Sequence, residues 1–435
     1  MIMAMIKPEA GMKDSGVKYI GLIPRTWKIV QLKYCTDCLD GKRIPIDASL
    51  RKSGIYPYWG AGRIMDYVDD YIFDERLVLL GEDGAPFFDD FRPVSHSIDG
   101  KVWVNNHIHV LRTKDNVVDS YLVHALNSVD YHEYINGSIL NKLTQSNMNR
   151  IKIPLPSYIE QQAIGDYLDE TCSKIDEIIA EAKASIDEYK KLRQGVIFEA
   201  VTKGLDKNVE MKAINLEYLD SCPADWNILP VSILFDFFGG FAYKSDRFCE
   251  ETNNQVIRLG NVKDDELRLN SNPVYVSDEY ANDSSKAAIK VDDILFTMTG
   301  TRGKGDYFYT LIITEDDLKE KNLFLNQRVG CFRKAYHTVY MPYYNYLLKS
   351  PKIRERVFLY ETGTANQGNI GIESINRIRL YNPPMEVQKN IVRILDQKCS
   401  TIDSLITEKG SLINDLEAYK KSLIYEVVTG KRRVV

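Results

Sequence analysis

Residues 164–202 read IGDYLDETCSKIDEIIAEAKASIDEYKKLRQGVIFEAVT, and residues 391–429 read IVRILDQKCSTIDSLITEKGSLINDLEAYKKSLIYEVVT. Laid over each other without a gap, at the constant shift of 227 positions that takes Ile164 to Ile391, they share Leu168, Asp169, Cys172, Ser173, Ile175, Asp176, Ile179, Glu181 and Ile186 with Leu395, Asp396, Cys399, Ser400, Ile402, Asp403, Ile406, Glu408 and Ile413. The match runs on through Ile197, Glu199, Val201 and Thr202 to Ile424, Glu426, Val428 and Thr429. Upstream it begins at Asn149-Arg150-Ile151 against Asn376-Arg377-Ile378. One element is used twice, so the chain is two copies of one design, each a globular segment followed by a helix. A two-fold design of this kind suits a two-part ligand.

Within the first copy Ile164, Leu168, Thr171, Ile175, Ile178, Ala182, Ser185, Tyr189, Leu192 and Val196 are spaced by alternating steps of four and three. In the second, Ile391, Leu395, Lys398, Ile402, Leu405, Lys409, Leu412, Leu416, Tyr419 and Leu423 repeat those steps. Charged residues fill the other positions and no proline interrupts, so the spacing predicts a heptad seam on a helix of about 40 residues, roughly 60 Å long at 1.5 Å per residue. A seam this narrow needs a partner. The equal lengths predict that the two helices pair with each other, as against each lying singly on its own domain.

Composition bounds the rest. With 435 residues, 44% of them hydrophobic, the chain can build more than one core. It holds no apolar run of about 18 residues, and Met1 to Ser15 lacks an apolar core followed by a small-residue cleavage site, so a cytoplasmic protein without a membrane segment is expected. The seven cysteines are odd in number and scattered, which suits a reducing compartment. Cys35-Thr36-Asp37-Cys38 is a lone CxxC without a second pair, and half-buried thiols explain it better than zinc. The 61 acidic residues outnumber the 56 basic ones, giving a net charge of −5. No segment is a basic block, so any DNA affinity must come from local patches or from partner proteins.

The globular segments are less alike than the helices. Tyr19, Pro24, Trp27 and Gly41 match Tyr218, Pro223, Trp226 and Gly240 at a shift of 199, after which the two diverge. Short strands are expected at Leu77 to Leu80, Lys101 to Val104 and Ile294 to Met298, each before a turn-forming stretch, and helical spacing around 119–136 and 340–360. The fold expected is α+β. Two strand-rich globular domains, residues 1–152 and 208–380, are separated by helix regions 153–207 and 381–435 that form an antiparallel coiled coil, giving an internal pseudo-two-fold repeat.

Along almost its whole length the chain resembles the specificity subunits of type I DNA restriction-modification systems. The resemblance is carried by Ile20-Gly21-Leu22-Ile23-Pro24 with Trp27; Tyr58-Trp59-Gly60-Ala61 leading to Val68-Asp69-Asp70-Tyr71; Leu79-Leu80-Gly81-Glu82-Asp83-Gly84-Ala85; Val104-Asn105-Asn106-His107; and Ile153-Pro154-Leu155-Pro156 before Glu160-Gln161-Gln162-Ala163-Ile164. In the second half the EQ pair becomes Glu386-Val387-Gln388, and Asn326-Gln327-Arg328 stands where the first half has Asn105-Asn106-His107. The resemblance implies that each globular unit is a target recognition domain reading one half of a bipartite, asymmetric sequence in double-stranded DNA, and that the helices fix the distance between halves. It implies a chain with no catalytic residues, no metal and no cofactor of its own. Two methylation subunits that use S-adenosylmethionine, and restriction subunits that use ATP and magnesium, would dock on it. A coiled-coil adaptor that binds only protein is the alternative.

Base edges are read by polar side chains on loops: arginine suits guanine, asparagine and glutamine suit adenine. The candidates for DNA binding are Lys42, Arg43, Arg63, Asn106, His107, Lys142, Gln145 and Ser146 in the first unit. In the second they are Tyr243, Lys244, Arg302, Lys304, Gln327, Arg328, Gln367 and Asn369. Each competes with an ordinary role as a solvated turn residue, and His107 with that of a buried, hydrogen-bonded histidine. Enzymatic readings fail on residues. Asn382-Pro383-Pro384-Met385 resembles the Asn-Pro-Pro-aromatic loop of adenine methyltransferases but lacks the ring and a glycine-rich cofactor loop. Gly300-Thr301-Arg302-Gly303-Lys304-Gly305 lacks the closing Gly-Lys-Ser/Thr of a phosphate loop and reads as a flexible basic loop. Asp69-Asp70, Asp89-Asp90 and Asp292-Asp293 lack the lysine spacing of metal-dependent nucleases.

Overall fold

A computed structural model describes residues 5–6, 11–89, 91–135, 141–216, 219–364 and 366–434; Tyr218 of the frame and Asp90 lie outside them. The duplicated element forms two long helices, Tyr158–Lys203 of 46 residues and Met385–Val428 of 44. The first is started by a capping box, in which Ser157 and Glu160 satisfy each other's backbone N–H groups. No helix among the described residues is long and apolar enough to cross a membrane.

Chain contacts divide the molecule into two units, and the boundary passes through the middle of both helices. The first unit is Met1–Ser185 with Glu408–Val435; the second is Ile186–Thr407. Each unit therefore holds one globular segment with a piece of each helix.

In the first unit the two helix pieces run antiparallel. Asp176 accepts from Lys420 at 2.6 Å and Lys183 pairs with Glu417 at 3.7 Å, so numbers rise along one helix as they fall along the other. In the second unit Arg193 pairs with Asp403 at 3.0 Å, and Ile197, Ala200 and Val201 share a core with Ile391, Val392, Leu395 and Cys399.

The buried stripe of the first helix is Ile164, Leu168, Cys172, Ile175, Ile179 and Ala182. It departs from the heptad expectation at three steps, Cys172, Ile179 and Ile197 being buried in place of Thr171, Ile178 and Val196, and Ile178 is 46% exposed. The helix packs against its own globular segment as well as against the other helix, which rotates the stripe. A Cβ on Gly165 would lie 2.1 Å from Ser120 Oγ, and Asp169 meets His124 at 2.7 Å. Leu192, Leu412 and Tyr419, also expected in the seam, are exposed, because one facing helix covers only a narrow stripe.

The frame preceding each globular segment closes on the end of a long helix. In the second unit Gly204, with φ of +78°, follows the first helix, and a Cβ there would approach the Trp226 ring at 3.3 Å. In the first unit Gly430, with φ of +70°, follows the second helix, and a Cβ would lie 2.5 Å from Pro24 and 2.9 Å from Trp27. Only glycine takes a left-handed helix-ending turn against a ring this close.

In the first unit Leu77–Gly81 sits between Ser95–Ile98 and Ile108–Thr113 in an antiparallel sheet that Thr36–Cys38 completes. Its burial on both faces explains the unbroken apolar run. Facing it, Lys101–Val104 pairs in parallel with Ser53–Gly60, and Phe73, Leu77, Leu79, Val102, Val104, Ile108 and Val110 form the core of these strands. Helix Asp119–Asn127 covers the antiparallel sheet with Tyr121, Leu122, Ala125 and Leu126.

The second unit has the antiparallel order Phe235–Gly239, Val329–Lys334, Ile294–Thr297, Thr310–Ile312. Phe296 stacks on Phe332 with 4.6 Å between centroids, and helices Met341–Leu348 and Pro351–Phe358 complete the core. The expected strands are thus present within a residue, while the helical stretch expected around 119–136 is a helix only over Asp119–Asn127 with one turn at Tyr131–Glu133.

Both units repeat one further joint. Gln161 and Gln388, 1% and 0% exposed, occupy the same place in the duplicated element. Gln161 Nε2 donates to Pro156 O and its Oε1 accepts from the Val118 N–H; Gln388 Nε2 donates to Pro383 O and its Oε1 accepts from the Tyr340 N–H. The glutamine in the EQ motif staples the proline linker and a second loop to the start of each helix. The second half, which displaces the glutamate, retains this residue.

Candidate nucleic-acid interface

Among the first-unit candidates, Arg43, Asn106, His107 and Lys142 come together around the Gly81–Gly84 turn, which ends the buried central strand, while exposed Lys42 stands nearer Glu75. Glu82 and Asp83 donate backbone N–H groups to His107 O, and Leu143 N–H donates to Glu82 O. Gln145 and Ser146 follow directly, exposed on the first turn of helix Gln145–Arg150, which Thr144 caps. Arg63 is not part of this group. It stands exposed on strand Arg63–Val68 of the other sheet, beside exposed Ile64, Met65 and Tyr67.

Arg43 turns inward. Its guanidinium contacts Glu82 at 2.5 Å and Asp40 at 3.4 Å and donates to Ile108 O at 2.9 Å and Asn106 O at 3.5 Å. It thus positions the turn that presents Asn106 and His107. Lys142 pairs with Asp83 at 3.1 Å and stays 46% exposed, and His107 is half exposed beside Asp83. The buried histidine of this region is His109, two residues on, which the sequence reading did not single out. Its Nδ1 lies 2.6 Å from Asp40 and its Nε2 2.8 Å from Leu143 O. Burial works to raise the Asp40 carboxyl, but His109, the Val110 N–H and Arg43 outweigh it and hold the group below the ordinary carboxylate range.

Asp40, Glu82 and His109 offer three ligand atoms within 4.8 Å of one another. The cluster does not fit a metal ion. The Arg43 guanidinium already supplies the positive charge between the two carboxylates, and both ring nitrogens of His109 are directed at oxygen partners.

In the second unit the candidates form two neighbouring groups. Arg302, Lys304, Gln367 and Asn369 are gathered by the small sheet of Thr299–Gly300, Gly368–Asn369 and Thr362–Gly363. Lys244, Gln327 and Arg328 lie where the chain after Phe235–Gly239 passes the Asn326–Arg328 turn; Gln327 N–H donates to Phe241 O. Met298 joins the groups, donating to Arg328 O and accepting from the Ile370 N–H. Tyr243 stands apart from the exposed side chains. It is 9% exposed, its hydroxyl bonded to Ser284 at 2.6 Å within a core of its own.

The glycine-rich loop at 300–305 is tied, in contrast to the flexible loop expected. Thr301 N–H donates to Asp306 at 2.7 Å, Gly303 N–H to Glu361 at 3.1 Å, and Arg302 to Gly363 O at 3.3 Å. Glu361 also accepts from the Tyr307 hydroxyl at 2.8 Å. Burial, and then Glu361 itself, push the Tyr307 phenol upward, so it remains a donor. The chain's own carboxylates occupy the backbone donors that a phosphate loop would leave open. Glu361 lies far from the loop in sequence, so no local pattern marked it.

Asn382 of the Asn-Pro-Pro-Met stretch is 4% exposed and bonded to Tyr344, Thr338 and Gln388. It is a structural joint at the head of the second helix. The seven cysteines are unbridged, and only Cys249 is exposed.

A family model described as Type I restriction modification DNA specificity domain matches this chain twice, over residues 24–188 and 223–415. A Haemophilus influenzae protein assigned as a type I restriction enzyme specificity subunit is 26% identical over 397 residues, spanning 88% of this chain and 89% of its own. The type I restriction enzyme MjaVIII specificity subunit of Methanocaldococcus jannaschii is 23% identical over 446 residues, spanning 100% of this chain and 98% of its own. Among solved structures, a chain from a study of complex assembly and conformational transition of the type I R-M system superposes with a TM-score of 0.67 at 14% identity, covering 94% of this chain and 99% of that one. The HsdS subunit from Thermoanaerobacter tengcongensis gives 0.50 at 14% identity, covering 96% and 99%. At these identities the structures bear on the fold alone.

Proposed function

Because this chain belongs to the family of type I restriction-modification DNA specificity subunits, we propose that it reads a bipartite, asymmetric sequence in double-stranded DNA, each unit reading one half. The observation that carries this is one frame holding two different heads. The Pro-Trp frame, the stapling glutamine and the helix pieces repeat, while the exposed polar sets differ: Lys42, Asn106, His107, Lys142, Gln145 and Ser146 in one, Lys244, Arg302, Lys304, Gln327, Arg328, Gln367 and Asn369 in the other. Arg43 and Glu361 position these loops. Phosphate contacts fix register and base-edge contacts carry sequence.

In this reading the chain is not itself catalytic and binds no cofactor. Methylation subunits supply S-adenosylmethionine chemistry, and restriction subunits, ATP and magnesium. The net charge of −5 supports a division in which partners clamp most of the phosphates. Mapping adenine methylation genome-wide with and without the gene tests the proposal. A bipartite motif with unlike halves should vanish with the gene; unchanged methylation in a strain that expresses the chain and its partners would overturn it. Purified alone with S-adenosylmethionine and duplex DNA, the chain should transfer no methyl group.

Glu361→Ala should release both the 300–305 loop and the hairpin bearing Gln367 and Asn369. Affinity of the assembled methyltransferase for its target is expected to fall about tenfold, from the loss of charged hydrogen bonds. Base preference should loosen only in the half read by the second unit. Unchanged preference at every position would rule out the positioning role.

A further inference from the structure

The second unit contains a cavity of about 430 Å³ lined by Arg258, Asn261, Ser271, Asn272, Asn326 and Arg328, with Leu259 and Gly260. Two arginines face it and no carboxylate does. Among the described residues neither arginine forms an ion pair, in a chain whose acidic residues outnumber its basic ones. Two other partly buried arginines are answered by carboxylates, Arg43 by Glu82 and Arg333 by Asp293.

The walls are fixed. Asn261 donates to both Arg268 O and Ser271 O at 2.9 Å and accepts from the Arg258 N–H at 2.9 Å. Asn272, held at φ of +49°, turns its carbonyl to accept from Arg258 Nη2 at 2.6 Å. That contact anchors the guanidinium through one nitrogen and leaves another idle. Arg258 Nε is buried and has no hydrogen-bond partner. A buried donor without an acceptor is costly, and a charged one more so. Arg328 adds a second guanidinium at an exposed position of the Asn326–Arg328 turn, next to Gln327.

A recess with an unanswered arginine calls for an anionic oxygen acceptor. The edge of a paired base stays inside the duplex and cannot enter a recess, whereas a backbone phosphate projects from it. We propose that this cavity seats one phosphate of the half-site read by the second unit, Arg258 and Arg328 donating to its oxygens. This rests on the DNA-reading function above. The seated phosphate sets the register in which Gln327 and its neighbours meet the bases.

The test uses the methyltransferase complex and a duplex carrying its mapped target, with single phosphates replaced in turn by neutral methylphosphonates. With the wild-type complex, one replacement at the second half-site should weaken binding about tenfold. Arg328→Ala and Arg258→Ala should abolish sensitivity at that position. Each should lower the slope of log affinity against log salt by about 0.9. Arg328 is exposed, so its variant serves even if Arg258→Ala fails to fold. Overturning results are the absence of any sensitive position at the second half-site, sensitivity that persists in Arg328→Ala, or a changed base preference at an unchanged salt slope. If the wild-type complex shows no target preference at all, the DNA-reading function itself has failed, and that outcome appears before any variant is compared.

Discussion

Exchanging the first globular segment for that of another family member is expected to replace one half of the DNA target and leave the other half as it was. The two units have separate cores, Phe73 to Val110 in the first and the cluster around Phe296 and Phe332 in the second. Specific sites exceed nonspecific ones by about a thousandfold or more, so methylation at the old half should be lost outright. The structure moves the junction. A cut at residue 150 would separate Lys28–Gln31 from its partner Lys152–Leu155, break the bond from the Leu32 N–H to Ile151 O, and remove Tyr121 from Pro154 O. Residues 11–156 should be exchanged together, which keeps Met12–Asp14 with its partner Leu22–Pro24 and retains the stapling Gln161 on the helix. Motifs mapped from cells carrying the chimera check this. If both halves changed, the units would not read independently.

Arg333→Met is expected to cost the second unit about 3–5 kcal/mol. Arg333 grips Asp293 through two nitrogens at 2.8 and 2.5 Å and donates to Ala288 O at 2.8 Å. The Asp293 side chain is 2% exposed, so removing its partner leaves a buried charge uncompensated. An exposed pair such as Arg76 with Asp99, at 74% and 70%, should cost under about 1 kcal/mol when broken. Urea unfolding of the two variants gives the comparison. Adding Asp293→Asn to Arg333→Met should recover part of the loss, since the buried charge is then gone. Equal effects of Arg333→Met and Arg76→Ala would mean that water reaches Asp293.

The sequence by itself determined the repeat, the two long helices, the strand-rich segments between them and the family. All of these rest on periodicity and order along the chain: a helix stripe recurs every three or four residues, and a duplicated segment matches at one shift. The turn that carries Asn106 was legible too, because Asn105-Asn106 marks it directly after an apolar strand.

Tertiary structure decided which side chains are available and what holds them. Arg43 and Arg63 look alike in sequence, yet one is turned inward onto Glu82 and the other is exposed. The sequence allows a buried histidine at His107, but burial falls on His109, because its strand runs into the core with His109 facing Asp40. Glu361 on the glycine loop, Arg258 in its cavity and the one-residue slips of the helix stripe at Cys172 and Ile179 all depend on contacts made across long stretches of chain. Charge and burial at such positions are set by what folding brings alongside, and spacing along the chain carries no record of it.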